Sequence, residues 1–259
     1  MKKSRSITNK LPAICAIALL LLVWHFACDL GWVPNFMLPS PEAVWAALVG
    51  DFSLLLQHAR VTLLEAFYGL MTGVAVAFVT ATLMDRFPFL YRALYPIIIV
   101  TQTIPTIAIA PLLVLWMGFE TAPKVTLVAL TTFFPITIGL LDGYASADKE
   151  AAALLRSMGA KRWQIFWHLK FPSALSHFFS GLRVSSSYAV VGAVVSEWLG
   201  GFEGLGVYMT RVRKAYAFDK MFAVIVFITA VSLLLMAAVT LLRRISMPWE
   251  VYEKMERKD

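Results

Sequence analysis

The chain has 259 residues, of which 59% are hydrophobic, and its mean hydropathy is +0.73. These values exclude a soluble globular domain, because several apolar runs reach the length of about 20 residues that spans a bilayer. The net charge of +7 does not indicate a nucleic-acid partner, since the basic residues lie in short segments between the apolar runs. The two cysteines are too far apart on one helix to form a disulfide.

Six apolar segments predict an all-α polytopic membrane protein with a single transmembrane domain over residues 1–259. The segments are about 11–28, 61–84, 94–117, 123–141, 178–199 and 221–242. The first is expected to be a retained helix, because its apolar run is longer than a signal-peptide core. After it, three prolines precede residues 42–57, which are predicted to form an amphipathic helix at the membrane interface.

The second and fifth segments carry small residues at every fourth position on one face. These residues are Gly69, Gly73, Ala77 and Ala81 in the second segment and Gly181, Ser185, Ala189 and Ala193 in the fifth. Small residues let helix backbones approach closely in lipid. Both faces are therefore predicted to pack against other helices.

The third segment combines three prolines with two polar residues, Gln102 and Thr103. Prolines leave backbone carbonyls that need other hydrogen-bond partners at membrane depth. Gln102 and Thr103 are therefore predicted to line a pathway through the membrane. Ser186 and Ser187 in the fifth segment are further candidates, although serines also bond carbonyls of their own helix.

Charged residues inside membrane segments are candidates for function. Glu65 lies near a segment end, where the interfacial interpretation is favoured. Arg183 is expected to extend to the lipid headgroups, with a counter-charge for an anionic solute as the alternative. Glu197 is kept as a pathway candidate.

The segment 148–172 is the longest charge-bearing stretch between two apolar runs. Asp148 is a predicted N-cap, and Gly159 can supply the left-handed residue that ends a helix. A second helix is predicted over 161–170, and Pro172 is expected to stop it. The pattern predicts a helix–glycine–helix elbow, which would otherwise be an ordinary amphipathic loop.

This elbow resembles the E-A-A…G…I-x-L-P signature of permease subunits of bacterial ATP-binding-cassette importers. The matching residues are Glu150, Ala151, Ala152, Gly159, Ile165 and Pro172, and Phe171 stands where the family usually has leucine. The resemblance implies the type I importer permease fold. It also implies that Glu150, Ala151, Ala152 and Gly159 belong to a cytoplasmic coupling helix that docks on a separate ATPase subunit.

Two further stretches point to a branch of this family. Residues 192–200 resemble the fifth-span signature of nitrate, sulfonate and taurine permeases. Within this branch, residues 102–105 and 192–200 look most like permeases assigned to hydroxymethylpyrimidine. The resemblance implies a complex of two permease copies, two ATPase subunits that use ATP, and an external substrate-binding protein. The expected solute is a thiamine precursor, hydroxymethylpyrimidine. The alternative solutes are sulfonate, taurine or nitrate.

Other chemistry is excluded by missing patterns. The chain has no G-x-x-x-x-G-K-[ST] loop and no histidine spacing for a metal, so we expect no bound cofactor and no enzyme activity in this chain. An ATP-independent secondary transporter or channel would need ionisable residues near mid-membrane, and it would leave the elbow unexplained. A pure scaffold would not need a polar, proline-broken segment.

The distribution of basic residues predicts the orientation. The positive-inside rule places both termini and the elbow in the cytoplasm, as expected for a multi-pass protein of the bacterial inner membrane. Six basic residues then lie outside: Arg60, Lys124, Arg211, Arg213, Lys214 and Lys220. The cluster over 211–220 has no explanation from the sequence other than a contact surface.

Overall fold

The computed structural model describes residues 11–34 and 36–249, and no strand occurs in these ranges. The basic head and the end of the charged tail, which contribute to the orientation argument, lie outside the described residues. The helices of the first half are α1 (Leu11–Asp29), α2 (Pro41–Gly50), α3 (Phe52–Arg86), α4 (Pro88–Thr103) and α5 (Thr106–Met117). Those of the second half are α6 (Thr121–Ala145), α7 (Lys149–Ser157), α8 (Arg162–Ile165), α9 (Phe171–Glu197), α10 (Leu205–Lys214) and α11 (Phe218–Ser246).

Within the described residues, five helices are long and apolar enough to cross a membrane. They are α1, α3, α6, the run Arg162–Glu197 and α11. The helices α4 and α5 are separated by a short break and enclose an angle of 100°. They add a sixth crossing if the pair counts as one span. Five of the six predicted segments coincide with these helices, and the third lies in the bent pair, which forms a broken span or a re-entrant loop.

The predicted interfacial helix over 42–57 is wrong in its second half. Ser40 caps the N-terminus of α2, and its hydroxyl accepts a hydrogen bond from the Ala43 backbone N–H at 3.3 Å. It ends at Gly50, because Asp51 leaves the helical region with ψ of 11° and glycine weakens the last turn. The residues that follow already belong to α3, which continues as the second span.

The chain forms two compact units, and the first comprises the described residues up to Gln57 together with Tyr208–Ile228. In this unit the indole N–H of Trp24 donates a hydrogen bond of 3.0 Å to the Pro39 carbonyl. The bond fastens α1 to the proline-rich segment that leads into α2. Pro39, directly before the cap of α2, is therefore held against α1.

The Asp51 carboxylate is the polar centre of the first unit. Its Oδ2 accepts hydrogen bonds from the Lys220 ammonium at 2.8 Å and from the Tyr208 hydroxyl at 2.5 Å. The bond from Lys220, followed by that from Tyr208, lowers the pKa of Asp51. Burial and the bond to Asp51 raise the pKa of Tyr208. Lys220, one of the basic residues predicted to lie outside, therefore has a partner within the chain.

The second unit is built around α6, on which both small-residue faces pack. A β-carbon at Gly69 of α3 would lie 2.4 Å from the Val128 side chain. One at Gly181 of α9 would lie 2.5 Å from the Pro135 carbonyl oxygen. The alanines of the two faces are fully buried: Ala77, Ala81, Ala189 and Ala193. The predicted close packing is confirmed, and one helix, α6, receives both faces.

Candidate functional site

The elbow begins at α7, whose N-terminus is capped as the sequence predicts. The Asp148 carboxylate accepts hydrogen bonds from the backbone N–H groups of Glu150 at 2.8 Å and Ala151 at 3.3 Å. Glu150 is exposed, Ala151 is half-buried, and Ala152 is buried with 8% of its surface exposed. Ala152 therefore packs inside its own chain, and only Glu150 and Ala151 face outward among these three.

Gly159 ends α7 in a left-handed conformation, with φ of +85°. Its N–H donates to the Arg156 carbonyl, and the Ala160 N–H donates to the Leu155 carbonyl, both at 2.9 Å. This pair of bonds is the Schellman arrangement, in which glycine satisfies the last helical carbonyls. A β-carbon at Gly159 would meet no atom within 4 Å. The constraint at this position is the backbone angle and not the available space.

The outward side of α7 is apolar. Leu154 is 61% exposed and Met158 is 75% exposed. Together with Ala151 they lie at helical spacing on one face, and we call these three residues the elbow surface. Exposed apolar patches bordered by polar residues mark contact sites on proteins.

The predicted stop at Pro172 is wrong. Phe171 keeps helical angles, φ of −63° and ψ of −48°, and the helix runs unbroken from α8 into α9. The five residues before it, Phe166–Lys170, form one π-helical turn, in which the Phe171 N–H bonds to the Phe166 carbonyl. A wider turn moves the preceding carbonyls away from the proline ring, which removes the clash that would otherwise break the helix.

The second arm of the elbow is fastened to two membrane helices. The Lys170 ammonium contacts both carboxylate oxygens of Asp85, at the end of α3, at 2.6 and 2.8 Å. The Phe166 ring lies 5.3 Å from the Tyr144 ring on α6, measured between centroids. The arm is therefore held to α3 by an ion pair and to α6 by aromatic packing.

The break in the third segment falls directly after the predicted pathway residues. Thr103 is the last residue of α4, and Gln102 directly precedes it. Both side chains are exposed. The Thr103 hydroxyl donates to the Val100 carbonyl at 2.7 Å, which leaves the larger Gln102 amide as the polar group presented at the bend. Pro105 begins the turn into α5.

The two serines of α9 differ in their surroundings. Ser186 is buried, and its hydroxyl donates to the Arg183 carbonyl of the same helix at 2.7 Å. Ser187 is half-buried. Ser186 thus shows the alternative considered for it, a bond within its own helix.

Glu197, at the end of α9, is the centre of a buried polar cluster. Its Oε1 accepts from the Thr62 hydroxyl at 2.7 Å, and its Oε2 accepts from the Gly206 N–H at 2.6 Å. Thr62 also accepts from the Leu205 N–H at 2.8 Å, and His58 Nδ1 accepts from the Gly204 N–H at 3.1 Å. These groups satisfy the backbone N–H groups that open α10.

The glycine-rich stretch between α9 and α10 is explained by this cluster. A β-carbon at Gly204, where φ is +124°, would lie 2.2 Å from the carboxylate carbon of Glu197. One at Gly206 would lie equally close to the Val194 carbonyl oxygen. Glycine at these positions lets the backbone approach the Glu197 carboxylate closely. The stretch therefore serves to hold this buried side chain.

The interfacial interpretation of Glu65 is wrong. Glu65 on α3 is 2% exposed, and Lys124 near the start of α6 is 6% exposed. Their charged groups form an ion pair of 2.7 Å. Both charges are compensated inside the protein and do not extend to the headgroups.

His58, Thr62 and Lys124 were not predicted to belong to a polar cluster. A usable signal was present, since His58, Thr62 and Glu65 follow one another at helical spacing on one face of α3. The residues predicted for coupling do lie together on the elbow. Those predicted for the pathway do not form one group, because Ser187 and Glu197 are about 15 Å apart along α9.

Comparisons with known proteins agree on one family. A family described as "Binding-protein-dependent transport system inner membrane component" matches residues 69–248. A probable ABC transporter permease protein of Haemophilus influenzae is 36% identical over 87% of this chain and 92% of its own length. The formylaminopyrimidine transport permease protein ThiX of Halalkalibacterium halodurans is 36% identical over 89% and 92% of the two chains.

A riboflavin transport system permease protein, RibX of Chloroflexus aurantiacus, is 33% identical over 90% of this chain and 88% of its own. Among solved structures, an inward-facing form of the MetNI methionine ABC transporter matches with a TM-score of 0.65 and 18% identity. The match covers 75% of this chain and 97% of the MetNI chain, and it supports the shared fold.

Proposed function

Because the chain belongs to the family of binding-protein-dependent transport system inner membrane components, we propose that it is the subunit that carries a small pyrimidine through the membrane. The chain is a translocation subunit of an ATP-binding-cassette importer and not an enzyme. It works with an ATPase subunit and a substrate-binding protein, as its family membership implies.

The proposed solute rests on the named relatives. ThiX is named for formylaminopyrimidine and RibX for riboflavin, and both solutes contain a pyrimidine ring. Hydroxymethylpyrimidine, which the Gln102–Thr103 stretch suggested, belongs to the same chemical class. An exposed carboxamide such as that of Gln102 can both donate to and accept from ring nitrogens and amino groups. The anionic oxygens of a sulfonate, taurine or nitrate would be complemented better by a cationic group than by a neutral amide.

For the assembly, we propose two copies of this chain on two ATPase subunits. One chain offers the exposed polar groups Gln102 and Thr103 on only one side of a pathway, and a second copy would close it. We further propose that the elbow and both termini lie in the cytoplasm.

The observation that carries the coupling role is the elbow surface. Leu154 and Met158 are exposed on a helix whose two ends are fixed by Asp148 and Gly159. The second arm is joined to α3 and α6 through Lys170 and Tyr144. A protein seated on the elbow surface therefore acts on the membrane helices through rigid contacts.

The orientation is tested by thiol labelling in intact cells, with Cys15 and Cys28 removed. A cysteine at Lys161 should resist an impermeant maleimide, and one at Glu120 should react. The reverse pattern would place the elbow on the wrong side for an ATPase.

The coupling role is tested by Met158→Ser with Arg162→Gln as control. Met158→Ser should weaken co-purification of the ATPase and reduce uptake, because truncating a central apolar contact costs about 1–2 kcal/mol or more. Arg162→Gln changes an exposed residue outside the elbow surface and should keep both properties. Equal behaviour of the two variants would contradict the role of the elbow surface.

The solute is tested by uptake of radiolabelled hydroxymethylpyrimidine and of taurine into cells that express the whole importer. We expect pyrimidine uptake that excess unlabelled formylaminopyrimidine competes away and that taurine leaves unchanged. Uptake of taurine alone would replace the pyrimidine proposal with the sulfonate alternative and leave the importer role intact.

A further inference from the structure

A groove of about 390 Å³ runs between α9 and the C-terminal half of α11. Arg183 lines its α9 side, and Leu233, Met236, Leu241 and Arg244 line its α11 side. No acidic residue is among the residues that line it. The groove is therefore apolar along its length and positively charged at two points.

Among the residues that the structure describes, neither guanidinium of this groove has an acidic partner. Within the described residues, no carboxylate lies within ion-pair distance of Arg183 or Arg244, whereas the neighbouring Arg243 donates to the Ser176 hydroxyl at 2.8 Å. An uncompensated arginine beside hydrocarbon is costly, and such residues pair with an anion or reach water. The groove consequently favours an anionic occupant.

The two arginines approach each other from opposite directions. The contact between Ser176 and Arg243 shows that the start of α9 lies beside the end of α11, so the two helices run antiparallel. Arg183 lies about 10 Å further into α9 than Ser176. Side chains lean toward the N-terminus of their own helix, so Arg183 leans toward the elbow side and Arg244 leans toward the membrane interior. One anionic group between them can contact both.

The surroundings of the groove are those of a lipid-facing surface. Among the described spans, α11 is the most apolar. Only 22% of its most apolar stretch is buried within the chain. It leaves Leu233, Leu234, Leu241, Leu242 and Ile245 exposed. The Thr240 hydroxyl already donates to the Met236 carbonyl at 2.8 Å, so among the residues that line the α11 side Arg244 is the hydrogen-bond donor left for an occupant. The occupant needs a long apolar part.

We propose that this groove binds an anionic phospholipid of the leaflet on the elbow side. The phosphate lies between Arg183 and Arg244, where guanidinium groups can form paired hydrogen bonds to its oxygens. An acyl chain lies along Leu233 and Leu241. Basic pockets between membrane helices bind anionic headgroups in this way.

The test uses the purified importer complex in mixed micelles, titrated with dioleoyl phosphatidylglycerol or dioleoyl phosphatidylcholine, with thermal unfolding as the readout. Phosphatidylglycerol should stabilise the wild type at low mole fraction, and phosphatidylcholine should not. The double variant Arg183→Gln/Arg244→Gln should need about thirtyfold more phosphatidylglycerol, from the usual contribution of each interfacial arginine. The control Arg156→Gln, an exposed change on the elbow, should behave as wild type.

Three results would overturn the proposal: equal response of the double variant and wild type, equal stabilisation by phosphatidylcholine, or full stabilisation by sodium phosphate alone. The last would indicate a site for a free anion. Efficient crosslinking between copies that carry Leu241→Cys, in the background without Cys15 and Cys28, would instead assign the groove to a second copy. If the double variant does not assemble, native mass spectrometry of Arg244→Gln decides, since retention of phosphatidylglycerol at the wild-type level contradicts the site.

Discussion

The helices α3, α6 and α9 differ in character between the end near Glu197 and the end near the elbow. At the end that holds Glu197, charged and polar side chains are buried and paired with one another or with backbone N–H groups. At the elbow end, the helix α7 leaves Leu154 and Met158 exposed. At the first end the buried charges are paired within the chain, whereas the second end has an exposed apolar helix face to offer to another protein. The contrast supports the proposal that the ATPase docks at the elbow end.

The largest effect is expected from Lys124→Met at the buried end. The change leaves Glu65 buried without its cation, and Oε2 of Glu65 has no hydrogen-bond partner among the described residues. Breaking a buried ion pair on one side costs about 3–5 kcal/mol. Thermal unfolding in detergent should show a large drop in the unfolding temperature.

Lys220→Met is the matched control for that change. Lys220 also pairs with a carboxylate, Asp51 at 2.8 Å, but its side chain is 42% exposed. Exposed pairs contribute about 0–1 kcal/mol, so this variant should unfold close to the wild-type temperature. Similar losses in both variants would show that burial does not distinguish the two pairs.

The next effect is expected from Gly204→Ala in the same buried end. Its β-carbon would meet the Glu197 carboxylate at 2.2 Å, and overpacking of this kind costs about 1–3 kcal/mol. Gly118→Ala provides the control, because Gly118 also has a positive φ, +85°, but has open space around it. A drop in the unfolding temperature as large for Gly118→Ala would assign the effect to backbone strain and not to the contact with Glu197.

A smaller change in stability but a complete loss of function is expected from Gly159→Val at the elbow end. A bulky residue at φ of +85° costs about 1–2 kcal/mol, enough to alter the end of α7. The complex should still reach the membrane while ATP-driven uptake is abolished. Gly159→Asn, which tolerates the left-handed region, should keep most uptake. Wild-type uptake by the valine variant would refute the need for this turn.

The smallest effect is expected from Gln102→Leu, which changes a residue that belongs neither to the Glu197 cluster nor to the elbow. Loss of one exposed amide should slow pyrimidine uptake severalfold, because a polar contact contributes about 1 kcal/mol. Complex assembly and the affinity of the binding protein should stay unchanged. Thr103→Val is the comparison, since that hydroxyl is already bonded to the Val100 carbonyl and should matter less. Unaltered uptake by Gln102→Leu would remove this residue from the pathway.

The sequence was informative wherever the cause of the structure was local. The cap at Asp148, the left-handed Gly159 and the small-residue faces follow from spacing within a few residues, and the structure confirms them. The predicted helix end at Pro172 was wrong, because the conformational preferences of proline do not predict the π turn that removes the clash. Glu197 was singled out, but its partner Thr62 is 135 positions away, and a pairing over that distance leaves no periodic signal.

The π turn before Pro172 has a mechanical consequence. Because the helix does not stop there, the run Arg162–Glu197 is one helical rod of 36 residues, about 54 Å long. One tip belongs to the elbow, and the other carries the carboxylate that holds the N-terminus of α10. A tilt imposed at the elbow tip therefore displaces the far tip without passing through a flexible joint. With the ATPase docked at the elbow as proposed, such a rod would carry its motion to the Glu197 end of α9.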